Sequence, residues 1–319
     1  MRIVTASEID GILTFPELIE TLRTAFRGDY VVPGQCRHLI ERPDEEDSNL
    51  VVMPAWSDFA KRDTVELGYV GVKLVTVFPE NERRAMPSIM GIYVLMSGRT
   101  GEPIALLDGR TLTLWRTAAA SALAARYLAR NDAHRLLIVG AGALAPFLAR
   151  AHMAVRPISE ILVWNRSMDA ARRLARHLAG FGVSAAATDD LEGAVRGADI
   201  VSCATMSERP LIRGTWLHPG HHIDLVGGFR PDMREADDDV MRRARIFVDT
   251  REGACRDAGD IVQPLGSGIL TARDIAADLF ELCRGEKAGR RFYDQITVFK
   301  SVGTAIEDLA AAEHVFLRT

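Results

Sequence analysis

One short stretch constrains this chain more than any other: Gly140-Ala141-Gly142-Ala143-Leu144-Ala145. It follows the apolar run Leu136-Leu137-Ile138-Val139 and opens a segment, 144–154, that reads as helix. Between a strand and a helix the G-x-G-x-x-A spacing acquires a physical meaning. Gly140 permits a tight turn, Gly142 lets the backbone approach a pyrophosphate, and Ala145 is small enough for close helix–strand packing. Free N–H groups at the helix start, and the positive end of its dipole, then face the anion. Further strands are expected at 160–164, 198–203, 222–226 and 245–249, with a helix at 169–179 after the first of them. Strands alternating with helices imply a doubly wound parallel sheet, a Rossmann domain for a dinucleotide.

The segments outside this block read differently. Thr14 can cap a helix that carries Pro16 in its first turn, ends at Arg27 and stops at Gly28. From 35 to 107, β-rich runs at 50–53, 71–77 and 91–96 are separated by turn residues, which predicts an antiparallel sheet. The acidic stretch 43–48 reads as a solvated loop. An alanine-rich helix starts near Thr111 and runs to Ala129, and 296–318 reads as a short strand followed by a second alanine-rich helix. The expected class is therefore α/β: a Rossmann doubly wound parallel sheet inserted in an α+β substrate and dimerisation domain. The expected boundaries are 1–115 plus 296–319 for the outer domain and 116–295 for the Rossmann domain.

The charge balance bears on partners. A formal net charge of -4 gives no electrostatic reason to expect nucleic acid. The longest apolar stretch, 136–149, is broken by two glycines and a proline, so no membrane span is expected. Residues 1–5 lack the apolar core of a signal peptide. Cys36, Cys203, Cys255 and Cys283 form no CxxC pair, so reduced thiols and a cytoplasmic location are expected. His218, His221 and His222 cluster without a matching carboxylate or cysteine set, and no metal site is expected.

The end of the second Rossmann strand bears on cofactor choice. A site for NAD usually has Asp or Glu there to bind the ribose hydroxyls. This chain has Asn165-Arg166-Ser167. No carboxylate repels a 2′-phosphate, and Arg166 offers a charge-assisted contact to one. NADP(H) preference is expected; if Arg166 is only a solvated surface charge, NAD(H) binds as well.

The whole chain resembles the ornithine cyclodeaminase/mu-crystallin family. The resemblance is carried by Gly71-Val72-Lys73-Leu74-Val75, Phe78-Pro79-Glu80-Asn81, Leu107-Asp108-Gly109, Thr113-Leu114-Trp115-Arg116-Thr117, the glycine turn, Cys203-Ala204-Thr205, Gly227-Gly228, Pro231-Asp232-Met233-Arg234-Glu235 and Thr297-Val298-Phe299-Lys300-Ser301. It implies a homodimer built on the N-terminal sheet. It also implies a substrate carboxylate held by Arg37, Lys73 and Arg116. Arg grips a carboxylate bidentately, and a lysine on an apolar strand is unusual enough to be a candidate acid/base. Lys73 and Arg116 are thus the catalytic candidates. Met53 and Phe78 would wall the substrate, although core packing explains either equally well. Thr117, Gly140, Gly142, Ala143, Leu144, Asn165, Arg166, Ser167, Ala204, Thr205, Val226, Lys300 and Ser301 are the cofactor candidates, with a core role nearly as good an account of Val226 and Lys300.

One departure sets the subtype. Cyclodeaminases of the family carry an Asp directly after the Gly-Gly of the strand near the nicotinamide; here that position is Phe229. A phenyl ring accepts no proton and binds no ammonium through a carboxylate. The resemblance then implies reduction of a cyclic imino acid, Δ1-pyrroline-2-carboxylate or its six-membered homologue, to L-proline or L-pipecolate. The alternatives are an ornithine cyclodeaminase, an alanine-type dehydrogenase, or a mu-crystallin-like NADPH-binding protein with little turnover.

Overall fold

The computed structural model describes residues 1–61, 68–84 and 86–319. Its internal contacts divide into two units, Met1–Thr117 with Thr304–Thr319, and Ala118–Gly303. The first unit runs β1 (Arg2–Val4), α1 (Ala6–Ile12), α2 (Phe15–Arg27), β2 (Tyr30–Val31), β3 (Cys36–Ile40), β4 (Ser48–Ser57), β5 (Tyr69–Val77), β6 (Ile89–Ser97) and β7 (Pro103–Asp108). These strands form one sheet in the order β1-β7-β6-β5-β4-β2, with β3 also paired to β4. Pairing is antiparallel except between β1 and β7.

Alternation along β6 decides the two faces of that sheet. Tyr93 and Leu95 are fully buried, while Met90 and Ile92 point to the other side and are exposed. The buried face is covered by the last helix, Ala305–Phe316, and α2, with Leu18, Ile19, Leu22 and Phe26 buried, packs against that helix. Thr14 takes the expected cap position of α2, but its hydroxyl donates to Glu17 Oε2 at 3.2 Å rather than accepting from the helix.

The second unit follows a 20-residue helix, α3 (Gly109–Leu128), in which the division between units falls. It continues with β8 (Arg135–Val139), α4 (Ala145–Met153), β9 (Glu160–Trp164), α5 (Met168–Ala179), β10 (Ser184–Thr188), β11 (Ile200–Cys203), β12 (His222–Leu225), β13 (Arg245–Val248), β14 (Ile275–Asp278) and β15 (Thr297–Lys300). All eight strands are parallel, in the order β10-β9-β8-β11-β12-β15-β13-β14. The order changes direction between β8 and β11, the switch point outside whose strand ends ligands of such sheets bind. Buried Leu137, Val139, Val201, Ile223 and Val298 fill the interior. One polar network sits among them. The Asp224 carboxylate accepts from Ser121 Oγ (3.0 Å) and Ser202 Oγ (2.7 Å) and faces His152 Nε2 at 3.2 Å.

The boundary expected at 295/296 is displaced. β15 is a central strand of the parallel sheet, lying between β12 and β13, and all four of its residues are buried. The second unit therefore runs to Gly303, and only the last helix and its flanks return to the first.

Candidate functional site

In the second unit the strand ends at the switch point border a cavity of about 390 Å³, lined among others by Gly140, Gly142, Asn165, Arg166, Ser167, Ala204 and Thr205. Gly140 has φ +108°, and a side chain there would come within 2.7 Å of Ala204 O, so only glycine fits the turn. Gly142 has open space on its Cβ side. The rim is ordered by side chains: Asn165 Oδ1 accepts from Ala141 N (3.2 Å), and Ser167 caps α5 by accepting from Ala170 N (3.4 Å). A glycine-only turn and open space beside Gly142, just ahead of the N-terminus of α4, fit a pyrophosphate. Arg166 is exposed at the same cavity.

Behind this rim lies a charged cluster that the sequence did not disclose. Thr205 N and Oγ1 both donate to Glu235 Oε1, at 2.7 Å each. Asp260 Oδ1 accepts from Glu235 N (2.9 Å) and Ala236 N (3.0 Å), and its Oδ2 lies 3.3 Å from Lys300 Nζ. Lys300 Nζ also donates to Gly227 O. Glu235, Asp260 and Lys300 are each 0% exposed. Burial, reinforced by Asp260, pushes the Glu235 carboxyl up to about 7 against the pull of Lys300 and the Thr205 donors.

The first unit holds a second charged site. Lys73 on β5 and Arg116 on α3 are both buried, and each meets carboxylates at the start of the last helix. Lys73 Nζ donates to Asp308 Oδ2 (2.7 Å), Arg116 Nε to Asp308 Oδ1 (3.0 Å), and Arg116 Nη1 to Glu307 Oε2 (2.7 Å). Burial, with the Arg116 charge added, lowers Lys73 to about 8, while Asp308 and Glu307 act against the shift. Burial alone would lower Arg116 too, but the same two carboxylates hold it above its ordinary value. Strand register puts Met53 opposite Lys73 and Arg37 opposite Val51, so Arg37, Met53 and Lys73 share one face of the sheet. Arg37 is exposed there. Phe78 lies under the Arg42 guanidinium, 5.4 Å from ring centre to Cζ.

Set against the sequence expectations, the cation pair is in place but is not a bare anion trap. Two cations face two carboxylates, so the quartet carries no net charge. The Lys300 side chain is wholly enclosed and points at Gly227 and Asp260. Ser301 (2% exposed) and Val226 (8%) are likewise buried. Ala143 and Leu144 lie in the turn ahead of α4 and do not line the cavity, and Thr117 is the last residue of the first unit. Phe229 is half-buried after Gly228. The histidines serve local structure: His218 N donates to His221 Nδ1 (3.1 Å), and His222 Nδ1 faces Thr297 Oγ1 (3.0 Å). Among the described residues no group of three or more His, Cys, Asp or Glu could hold a metal, and no helix is long and apolar enough to cross a membrane.

Sequence reasoning missed Glu307, Asp308, Glu235 and Asp260. Paired acids in a helix's first turn read as complements to its dipole, and nothing local distinguishes a solvated pair from a buried one. Glu235 did have a signal, since it ends the family stretch 231–235.

The model of the ornithine cyclodeaminase/mu-crystallin family matches residues 1–319. The Δ1-pyrroline-2-carboxylate reductase of Paracoccus denitrificans is 38% identical over 315 residues, covering 98% of this chain and 96% of that protein. The structure of Thermococcus litoralis Δ1-pyrroline-2-carboxylate reductase in complex with NADH and L-proline superposes with a TM-score of 0.91 at 32% identity, covering 100% of this chain and 97% of the other. An archaeal alanine dehydrogenase dimer with bound NAD gives a TM-score of 0.90 at 30% identity, covering 99% and 95%.

Proposed function

The chain belongs to the ornithine cyclodeaminase/mu-crystallin family, and from that premise we propose that it is a nicotinamide-dinucleotide-dependent reductase of a cyclic imino acid. The substrate is Δ1-pyrroline-2-carboxylate or its six-membered homologue, and the product L-proline or L-pipecolate. The observation that carries this reading is Phe229: an apolar ring follows Gly227-Gly228 while Lys73 and Arg116 stay in place. A side-chain amine has no carboxylate there, whereas a neutral ring has a surface to rest on.

The substrate carboxylate is held by the N–H donors of Arg116 and Lys73 that Glu307 and Asp308 leave over. The reactive form is the iminium carboxylate, whose carbon accepts a hydride more readily than that of the free imine. Lys73 Nζ supplies the proton that makes it. An ammonium brought down to about 8 gives up a proton near neutrality far more readily than an ordinary lysine. A dinucleotide bound at the switch-point cavity would supply the hydride. The imine carbon thus gains a hydride and the nitrogen a proton, which leaves a secondary amine. Gly140, Gly142, Asn165, Ala204 and Thr205 hold the dinucleotide, and Arg166 gives the site a preference for NADP(H) over NAD(H).

The exposed apolar face of the first-unit sheet, with Ile3 at 68%, Ile92 at 47% and Met90 at 37% exposed, suits a second copy of the chain, and we read the protein as a homodimer. Four free cysteines accord with a reducing compartment such as the cytoplasm.

The test follows dinucleotide absorbance with fresh Δ1-pyrroline-2-carboxylate, comparing NADPH with NADH, and L-ornithine plus NAD in parallel. Oxidation of the reduced dinucleotide is expected, faster with NADPH. Conversion of ornithine to proline without it would return the chain to the cyclodeaminases. Oxidation that requires ammonium and an open-chain 2-oxo acid would make it an alanine-type dehydrogenase.

A further inference from the structure

We propose that Glu235, Asp260 and Lys300 are positioning residues for the dinucleotide site, tying the loop 204–207 and the Gly227-Gly228 turn to one buried charge cluster. The proposal rests on the reading that the switch-point cavity takes a dinucleotide.

The ties form a continuous path. Thr205, on the cavity wall, has both its N–H and its hydroxyl directed at Glu235 Oε1. The loop is pinned again two residues on, where Arg234 N donates to Ser207 O at 2.7 Å. Glu235 is fixed in turn by its own N–H, held with that of Ala236 on Asp260 Oδ1. Asp260 Oδ2 faces Lys300, and Lys300 reaches Gly227 O. The glycine at 227 closes the path: a methyl group there would run into Thr205 O and Glu235 Oε1. The two loops that follow β11 and β12 are thus braced against the same three side chains.

Three ionisable groups enclosed in the interior are a poor way to gain stability, because their desolvation rivals their attraction. Their geometry does have one clear effect. It satisfies the Thr205 N–H and hydroxyl and the Gly227 carbonyl. The cluster holds two carboxylates against one ammonium, so one carboxylate lacks a counter-charge. The groups facing Glu235 are Lys300 from β15 and Asp260 from the helix Gly259–Gly266, with the Cys203 thiol of β11 beside them; Asp224 of β12 and Asp249 lie in the outer field. Among these, Glu235 is the group brought to about 7. Its charged form accepts more strongly from Thr205 than its neutral form. Dinucleotide binding therefore tightens as pH rises through that value.

The experiment uses the full chain and NADH, with the dissociation constant read from nicotinamide fluorescence and the unfolding midpoint measured without dinucleotide. Glu235→Gln keeps an acceptor of the same shape, and binding within about threefold of wild type is expected, with its pH dependence between 6 and 8 abolished. Glu235→Leu removes the acceptor, and at least tenfold weaker binding is expected. Adding Thr205→Val to E235L should cost less than T205V costs alone, because the hydroxyl has already lost its partner. Should E235L fail to fold, the flattened pH profile of E235Q decides. NADH binding by E235L equal to wild type, strict additivity with T205V, or an unchanged pH profile in E235Q would overturn the proposal. Wild-type protein that binds neither NADH nor NADPH would instead remove the dinucleotide reading on which it rests.

Discussion

Lys73 shows how one residue's surroundings set its chemistry. An ordinary lysine is a weak proton donor at neutral pH, but enclosure beside Arg116 brings this one to about 8, with Asp308 limiting the fall. With Lys73 as the proposed donor the protonated form is the active one, so kcat/KM for the imine is expected to decline as pH rises through about 8. Asp308→Asn removes a carboxylate that raises the value, so the same decline should move to lower pH. Lys73→Met should lose on the order of 100-fold or more in turnover, the usual contribution of a positioned acid, while NADH affinity stays at the wild-type level. Arg166 is the residue to test for cofactor choice. Its replacement by Ala should weaken NADPH by about 10-fold or more, the value of a charge-assisted contact, and leave NADH nearly unchanged; equal losses for both would remove Arg166 from the 2′-phosphate.

At the level of elements, what could be read from the sequence follows from what makes each element form. Strands rich in Val, Ile and Leu between glycines, such as β5, β6 and β8, announce themselves. Ser184–Thr188 and Ile275–Asp278 do not, because their alanines carry no β signal and only their place in the sheet makes them strands. The glycine turn was legible because its chemistry is local. The Lys73–Asp308 pair was not, since its partners lie 235 residues apart and only tertiary packing joins them. That pairing also gives the last helix a stability role. Asp308→Ala leaves two enclosed cations sharing Glu307, and a loss of about 3 kcal/mol is expected, typical of breaking a buried pair. The midpoint of urea unfolding would report it; a loss below about 1 kcal/mol would mean that water takes the carboxylate's place.

For the whole molecule, the uncovered face of the first-unit sheet carries the prediction on assembly. Ile92→Asp places a charge in the middle of that face, opposite Leu74. If the face joins two copies, sedimentation should show the wild type at twice the chain mass of 35.0 kDa and the variant at that mass. An unchanged dimer would move the contact elsewhere.

The helix Ala305–Phe316 also has a place in time. A ribosome delivers Lys73 and Arg116 early and their carboxylate partners only after the whole eight-stranded sheet has been made. Until Glu307 and Asp308 emerge, both cations lack the carboxylates that face them in the folded protein. A nascent chain can therefore finish its parallel sheet before the carboxylates that set the acidity of Lys73 exist, so the proposed acid is completed only when the helix Ala305–Phe316 has been made.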